Sequence, residues 1–415
     1  MTDTQWFRDA GFGLFIHWGL YALHGLGEWA MYTSAIPAEK YRALAGRFQP
    51  GRFDADEWAQ LACDAGMKYM VMTAKHHDGF CLFDTRTTGF CSTKTAAGRD
   101  FVREYVEACR RHGLKVGIYF SVKDWQYPGY FRGPEKDPEG WAEFMRVYEA
   151  QLRELLTGYG KIDILWFDFS YPSKDGDPEH GKGQNEWESE ELVRMIRSLQ
   201  PDIILDNRLD LPDEGDIQTP EQYTPDEPLK DKDGNPLVWE GCQTFSGSWG
   251  YFRDEQTWKS PKQCIDMLVN HVSRNGNLLM NVGPTSRGFL DDRAMNCLKA
   301  YAEWMHLHSR AIYGCAAAPD GIKAPQDCRY TYNKETNRLY LHLMNWPFKH
   351  IHLSGLAGKV AYAQLLNDGS EIRFREQNKE VNCALNSETP ENALTLELPV
   401  NKPDVEVPVV ELFLK

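Results

Sequence analysis

The chain has 415 residues, with 46 Lys plus Arg against 60 Asp plus Glu, and its formal charge of −14 disfavours nucleic acid or an anionic membrane surface as the main partner. Hydrophobic residues make up 42% and charged residues 26%, the balance of a folded globular chain, and no run nears the roughly 20 apolar residues of a membrane span. The opening MTDTQWFRDAGFG lacks the basic, apolar and small-residue series of a secretory leader, so a cytoplasmic location is expected.

GLFIHWG at 13–19 reads as a short apolar strand. A helix starting at Asp54 or Asp56 then places Trp58, Leu61, Ala62 and Ala65 on one face. KYMVMTA at 68–74 predicts a buried strand, and Phe101, Val102, Tyr105, Val106 and Cys109 form a helical stripe that stops at Gly113. The alternation continues with strand 116–122, a helix over roughly 140–157, strand 162–169, helix 187–199, strand 203–207, helix 261–273, strand 277–282 and helix 291–308. Nearly all-apolar strands alternating with helices predict an α/β fold with a covered parallel sheet, most simply a (β/α)8-like barrel interrupted by an irregular stretch over about 209–260.

After Gly314 the pattern changes to period two, with Asn, Gly and Pro in the turns, which predicts a small antiparallel β domain. The expected boundaries are 1–316 and 317–415. The ten cysteines have no CxxC spacing, and Cys63, Cys109, Cys264 and Cys297 fall on apolar helix faces, so reduced, buried thiols are expected.

In a parallel barrel, chemistry sits at the C-terminal strand ends and the loops after them. His17 and Trp18 end the first strand, His76, His77 and Asp78 follow the second, and Tyr119, Asp168, Asn207 with Arg208, and Asn281 end others. Asp168 leaves the apolar run Ile164–Phe167 and must meet a polar partner or a reacting centre. His76, His77 and Asp78, with His17, could hold a metal, but adjacent histidines on an extended segment point opposite ways, and no metal is expected. Loop aromatics such as Trp18, Trp29, Trp125 and Trp249, interleaved with carboxylates and imidazoles, point to a carbohydrate site, whereas Trp58, Trp187 and Trp304 on helices read as core.

FGLFIHWGLYALHGLGEW at 12–29, KYMVMTAKHHDGFCLFDT at 68–85, GLKVGIYFSVKDW at 113–125, DILWFD at 163–168 and GNLLMNVGPTSRG at 276–288 together resemble glycoside hydrolase family 29, the α-L-fucosidases, in order and spacing over roughly residues 6–315. The resemblance implies a barrel-like catalytic domain followed by a β-sandwich. It implies a retaining exo-α-L-fucosidase that works through a covalent fucosyl-enzyme intermediate on fucosylated oligosaccharides or glycoconjugates, without a cofactor. By motif, Asp168 is the nucleophile and Glu221 in QTPEQY the acid/base, with Glu240 in LVWEGC as runner-up and Asp216 and Glu255 as outside possibilities. The sugar-binding positions fall on His17, Glu28, Trp29, His76, His77, Tyr119, Trp166, Arg208 and Trp249, while Asn281 reads as structural. Ala30 and Phe169 depart from the family pattern on the leaving-group side. A non-catalytic fucose-binding protein on the same scaffold and a metal-dependent barrel hydrolase are the alternatives.

Overall fold

Strands that are apolar on both faces need cover above and below, and the order of elements provides it. The computed structural model describes residues 2–168, 182–211, 215–376 and 392–415, so Phe169 lies outside the described residues. A short helix α1 (Gln5–Ala10) precedes β1 (Phe12–Ile16), and α2 (Ala30–Thr33), α3 (Ala38–Arg42) and α4 (Ala55–Asp64) lead to β2 (Tyr69–Lys75). Then follow α5 (Phe101–Arg111), β3 (Lys115–Ser121), α6 (Pro128–Lys136), α7 (Pro138–Gly158), β4 (Ile164–Asp168), α8 (Ser189–Leu199) and β5 (Ile204–Leu205). The series ends with β6 (Trp239–Thr244), α9 (Pro261–Val272), β7 (Gly276–Val282) and α10 (Asp292–His308). Asp54 starts α4 as expected, its Oδ1 accepting from the backbone N–H of Asp56 and Glu57 at 2.9 and 3.2 Å.

The seven strands pair in parallel in the order β5-β4-β3-β2-β1-β7-β6. Residues 216–222 join the two edges of this curled sheet. Asp216 and Ile217 donate their N–H to Leu205 O, and Glu240 and Cys242 donate theirs to Gln218 O and Pro220 O. Parallel bridges Asp206–Ile217, Gln218–Trp239 and Glu221–Cys242 mark the same closure. The stretch expected to be irregular therefore holds β6 and a short stave that closes the barrel. Neither was visible as an apolar run, because WEGCQT mixes Glu, Gln and Thr into the strand and Pro220 breaks the stave's ladder.

Alternation along the strands sorts the core into two parts. Phe15, Tyr69, Val71, Tyr119, Ile164, Trp166, Ile204, Ile217, Cys242 and Leu279 form an inner cluster, and Phe7 of α1 packs with it. Leu14, Ile16, Met70, Met72, Ile118, Leu165 and Phe167 face the surrounding helices and belong to the larger outer cluster. The wide aromatic residues of the inner cluster fill the barrel below the site and form its floor.

The C-terminal strands are β8 (Cys328–Asn333), β9 (Arg338–Leu343), β10 (His350–Leu353), β11 (Val360–Leu365), β12 (Arg373–Glu376), β13 (Leu394–Glu397) and β14 (Val409–Leu414). They form antiparallel sheets β11-β14-β9-β8 and β10-β13-β12 around a shared core that includes Leu341, Leu353, Leu396 and Leu412. Several contacts among the described residues tie these sheets to the helical layer, three of them as follows. Trp304 Nε1–H donates to Val407 O at 3.2 Å, Thr331 Oγ1–H to Ala311 O at 2.7 Å, and Arg310 pairs with Glu411 at 3.2 Å.

Candidate active site

The C-terminal ends of the barrel strands enclose a pocket lined by Phe15, His17, Glu28, Trp29, His76, His77, Tyr119, Trp166, Asp168, Glu221, Cys242 and Trp249. Asp168, Glu221 and all the expected sugar-binding positions are among these except Arg208, which reaches the site through its guanidinium. Asn281 Nδ2–H donates to Trp249 O at 2.7 Å, which turns its Oδ1 toward His17 Nδ1, also at 2.7 Å. The amide thus holds the His17 proton on Nδ1 and leaves Nε2 as an acceptor. Burial lowers His17 to about 3 and puts His76 and His77 well below the usual histidine range, so all three are neutral hydrogen-bonding groups at neutral pH. Asn281 has the structural role expected of it, tying the Trp249 loop to the barrel.

The two histidines do not point apart. Their rings lie 4.1 Å apart between centroids, and both line the pocket. The strand ends at Lys75 and the chain turns at once, with Gly79 N–H bonded to His76 O at 3.0 Å, so the alternation of an extended segment no longer applies. His76 stacks on Tyr119 with centroids 5.6 Å apart, and its buried Nδ1 has no hydrogen-bond partner among the described residues. His77 Nδ1 meets Ser121 Oγ at 2.6 Å, which places Nε2 3.6 Å from Asp168 Oδ2. Glu28 Oε2 accepts from Gly250 N–H at 2.7 Å, and burial raises its carboxyl above the usual range.

Asp168 is held from two sides. Tyr119 O–H donates to Oδ2 at 2.8 Å, and Arg208 Nη1–H donates to Oδ1 at 2.7 Å. Burial raises the Asp168 carboxyl from the ordinary aspartate value, while Arg208 and Tyr119 pull it back toward ionisation. The same Arg208 Nη1 donates to Glu221 Oε2 at 2.9 Å. The two carboxylate oxygens can therefore lie no farther apart than the sum of these two distances. Arg208 is itself fixed by Thr219, whose Oγ1 accepts from Nε at 3.0 Å and whose carbonyl accepts from Nη2 at 3.1 Å, and it lies over the Trp166 ring at 4.5 Å. Burial works against its charge, but Asp168 and Glu221 among its neighbours hold it above the usual range. Glu221 is 42% exposed, so a solvent-facing carboxyl stands beside a buried one.

The three alternative acid/base candidates lie elsewhere. Glu240, the runner-up acid/base, is completely buried below Trp166 and does not reach the pocket. Asp216 binds Arg197 at 2.6 Å and Leu205 N–H at 2.8 Å, and Glu255 accepts from Thr257 N–H at 2.7 Å and Oγ1–H at 2.6 Å. Trp18, grouped with the loop aromatics, packs instead among Phe48, Phe53, Trp58 and Phe101 in the outer core. Phe15 and Cys242 line the pocket without having been singled out. Phe15 was within reach, since it lies two residues before His17 on the same strand face, but Cys242 required β6 to be recognised.

A family model described as α-L-fucosidase matches residues 2–310. The α-L-fucosidase of Dictyostelium discoideum is 26% identical over 441 residues, covering 98% of this chain and 91% of that one. The plasma α-L-fucosidase of Rattus norvegicus is 28% identical, covering 82% and 77%. Among solved structures, α-L-fucosidase isoenzyme 1 from Paenibacillus thiaminolyticus is 40% identical with a TM-score of 0.89, covering 99% and 98%. A Bacteroides thetaiotaomicron α-L-fucosidase trapped as a covalent intermediate with 2-fluoro-fucosyl fluoride is 29% identical with a TM-score of 0.86, covering 99% and 95%.

Proposed function

The chain belongs to the α-L-fucosidase family, glycoside hydrolase family 29, and from that premise we propose that it is a retaining exo-α-L-fucosidase with Asp168 as nucleophile and Glu221 as acid and base. The observation that carries the reading is the single Arg208 nitrogen bonded to both carboxylates, at 2.7 and 2.9 Å. The bound this sets on their separation fits the roughly 5 to 5.5 Å of retaining glycosidases and falls short of the roughly 6.5 to 9.5 Å that inverting enzymes need to admit a water.

In the first half-reaction the Asp168 carboxylate attacks the anomeric carbon of a terminal α-L-fucosyl group while the Glu221 carboxyl protonates the departing oxygen. The glycosidic bond breaks and a fucosyl ester forms. In the second, water attacks the same carbon as Glu221 takes its proton, and the ester bond breaks to regenerate Asp168. Tyr119 and Arg208 accompany Asp168 as its charge is spent and restored. The neutral His17, His76 and His77, with Glu28, share the ring hydroxyls, and Phe15, Trp29, Trp166 and Trp249 supply apolar faces suited to the ring C–H bonds and the C6 methyl. The substrates are fucosylated oligosaccharides or glycoconjugates.

The test follows the first product of an aryl α-L-fucoside by proton NMR. This account expects α-L-fucose to appear first and then mutarotate. Initial β-L-fucose would contradict it, and fucose binding without turnover would favour the non-catalytic alternative.

A further inference from the structure

One buried carboxylate in the barrel has no part in the scheme above. Glu240 lies on β6 two residues before Cys242, so it shares the inward face but sits one layer below the pocket. Its two oxygens accept from different neutral donors, Tyr69 O–H at 2.6 Å and Trp166 Nε1–H at 2.9 Å. One inward glycine makes room for this layer. A Cβ at Gly13 would fall 2.4 Å from the Tyr69 ring, so only glycine on β1 lets that ring cross toward Glu240. Burying a carboxylate for packing alone is costly when an apolar side chain would fill the same space.

The indole that Glu240 holds is the one on which Arg208 rests, at 4.5 Å. We propose that Glu240 is a positioning residue. By fixing the Trp166 indole from below, it sets the plane on which the Arg208 guanidinium lies and so keeps Arg208 shared between Asp168 and Glu221. The proposal rests on the reading of those two carboxylates as the reacting pair. The link runs through contacts present in the fold, from Tyr69 to Glu240 to Trp166 to Arg208, and its far end is the nitrogen bonded to both acids. The other titratable groups facing that clamp are Tyr119, His77, Asp206, Cys242 and Glu28.

The test compares Glu240→Gln with Glu240→Leu on an aryl α-L-fucoside, alongside wild type and Asp168→Asn. The amide oxygen introduced by E240Q still accepts from Trp166, and its N–H₂ can donate to Tyr69, whereas E240L offers neither contact. We expect E240L to lose about 10- to 100-fold in kcat with KM changed by less than about threefold, as for a small misplacement of reacting groups, and E240Q to recover most of that loss. A loosened Arg208 stabilises both carboxylates less, so both limbs of the pH profile of kcat/KM should move to higher pH in E240L. Unchanged kcat and limbs in a folded E240L, or equal impairment of both variants, would overturn the proposal. If E240L does not fold, Tyr69→Phe carries the test in milder form, with the same direction of limb displacement expected and unmoved limbs counting against it. Turnover by wild type and its loss in Asp168→Asn keep the reading of the reacting pair separately testable.

Discussion

Arg208 decides the electrostatics of the site. One cation shared by two carboxylates favours the ionised form of buried Asp168 against desolvation, and orients Glu221 while leaving it open to water. Because burial raises Asp168 and the proposed first step needs its carboxylate form, activity should rise with pH through a limb above the ordinary aspartate range. Replacing Glu221 with Ala should cost about 10²- to 10⁴-fold on substrates with poor leaving groups. Azide should restore turnover and give fucosyl azide of α configuration, since it needs no general base. Rescue confined to Glu240→Ala would reverse the assignment. At this scale the motifs exposed most of the pocket, because polar residues ending apolar strands stand out. Glu221 and Glu240 could not be separated from sequence, since each lies in a segment whose strand character is masked by proline or polar neighbours.

The turn after β2 shows how an element presents its side chains. Lys75 pairs with Asp124 at 3.3 Å, Tyr41 O–H donates to Asp78 Oδ2 at 2.7 Å, and Trp125 N–H donates to His77 O at 2.8 Å, so buried polar contacts brace the two histidines from behind. Gly79 at φ +78 completes the turn, where a Cβ would fall 2.3 Å from Asp124 Oδ1. Burial pushes Asp78 up to about 7. Its folded pKa lies above the unfolded value, so its contribution to stability is full in acid and is lost as pH rises toward about 7. Asp78→Asn should therefore gain stability relative to wild type across that window, by an amount on the order of 3 to 4 kcal/mol, measured by urea unfolding at several pH values. A difference independent of pH would contradict it. The turn was invisible in sequence, since KHHDG reads equally as the end of a strand, and the opposed histidines expected there follow only if the strand continues. Apolar runs made β1 to β5 and β7 legible for the same reason that WEGCQT hid β6.

Across the whole molecule, the β sheets act on the barrel through a few buried groups. Glu411 is almost fully buried and accepts from Gln364 Nε2–H at 2.7 Å and Tyr340 O–H at 3.3 Å, besides pairing with Arg310 at 3.2 Å. Arg310 is mostly exposed, so its pair adds little, and the cost of losing Glu411 comes from the buried donors left without an acceptor. Glu411→Ala should lower stability by about 1 to 3 kcal/mol while the folded fraction keeps its kcat, since none of these residues lines the pocket. Thermal unfolding and active-site-titrated kinetics check both parts, and a fall in kcat without loss of stability would argue against a bracing role. The change of sequence period after Gly314 announced these sheets, but their contacts with the helical layer involve residues far apart in the chain and could not be read from local pattern.

The most direct test of the central claim is to trap the protein with 2-fluoro-fucosyl fluoride, digest it and map the labelled peptide by mass spectrometry. The account predicts one fucosyl group per chain, in ester linkage to Asp168. Label on any other side chain, or rapid turnover of the fluoride with no covalent adduct, would contradict it.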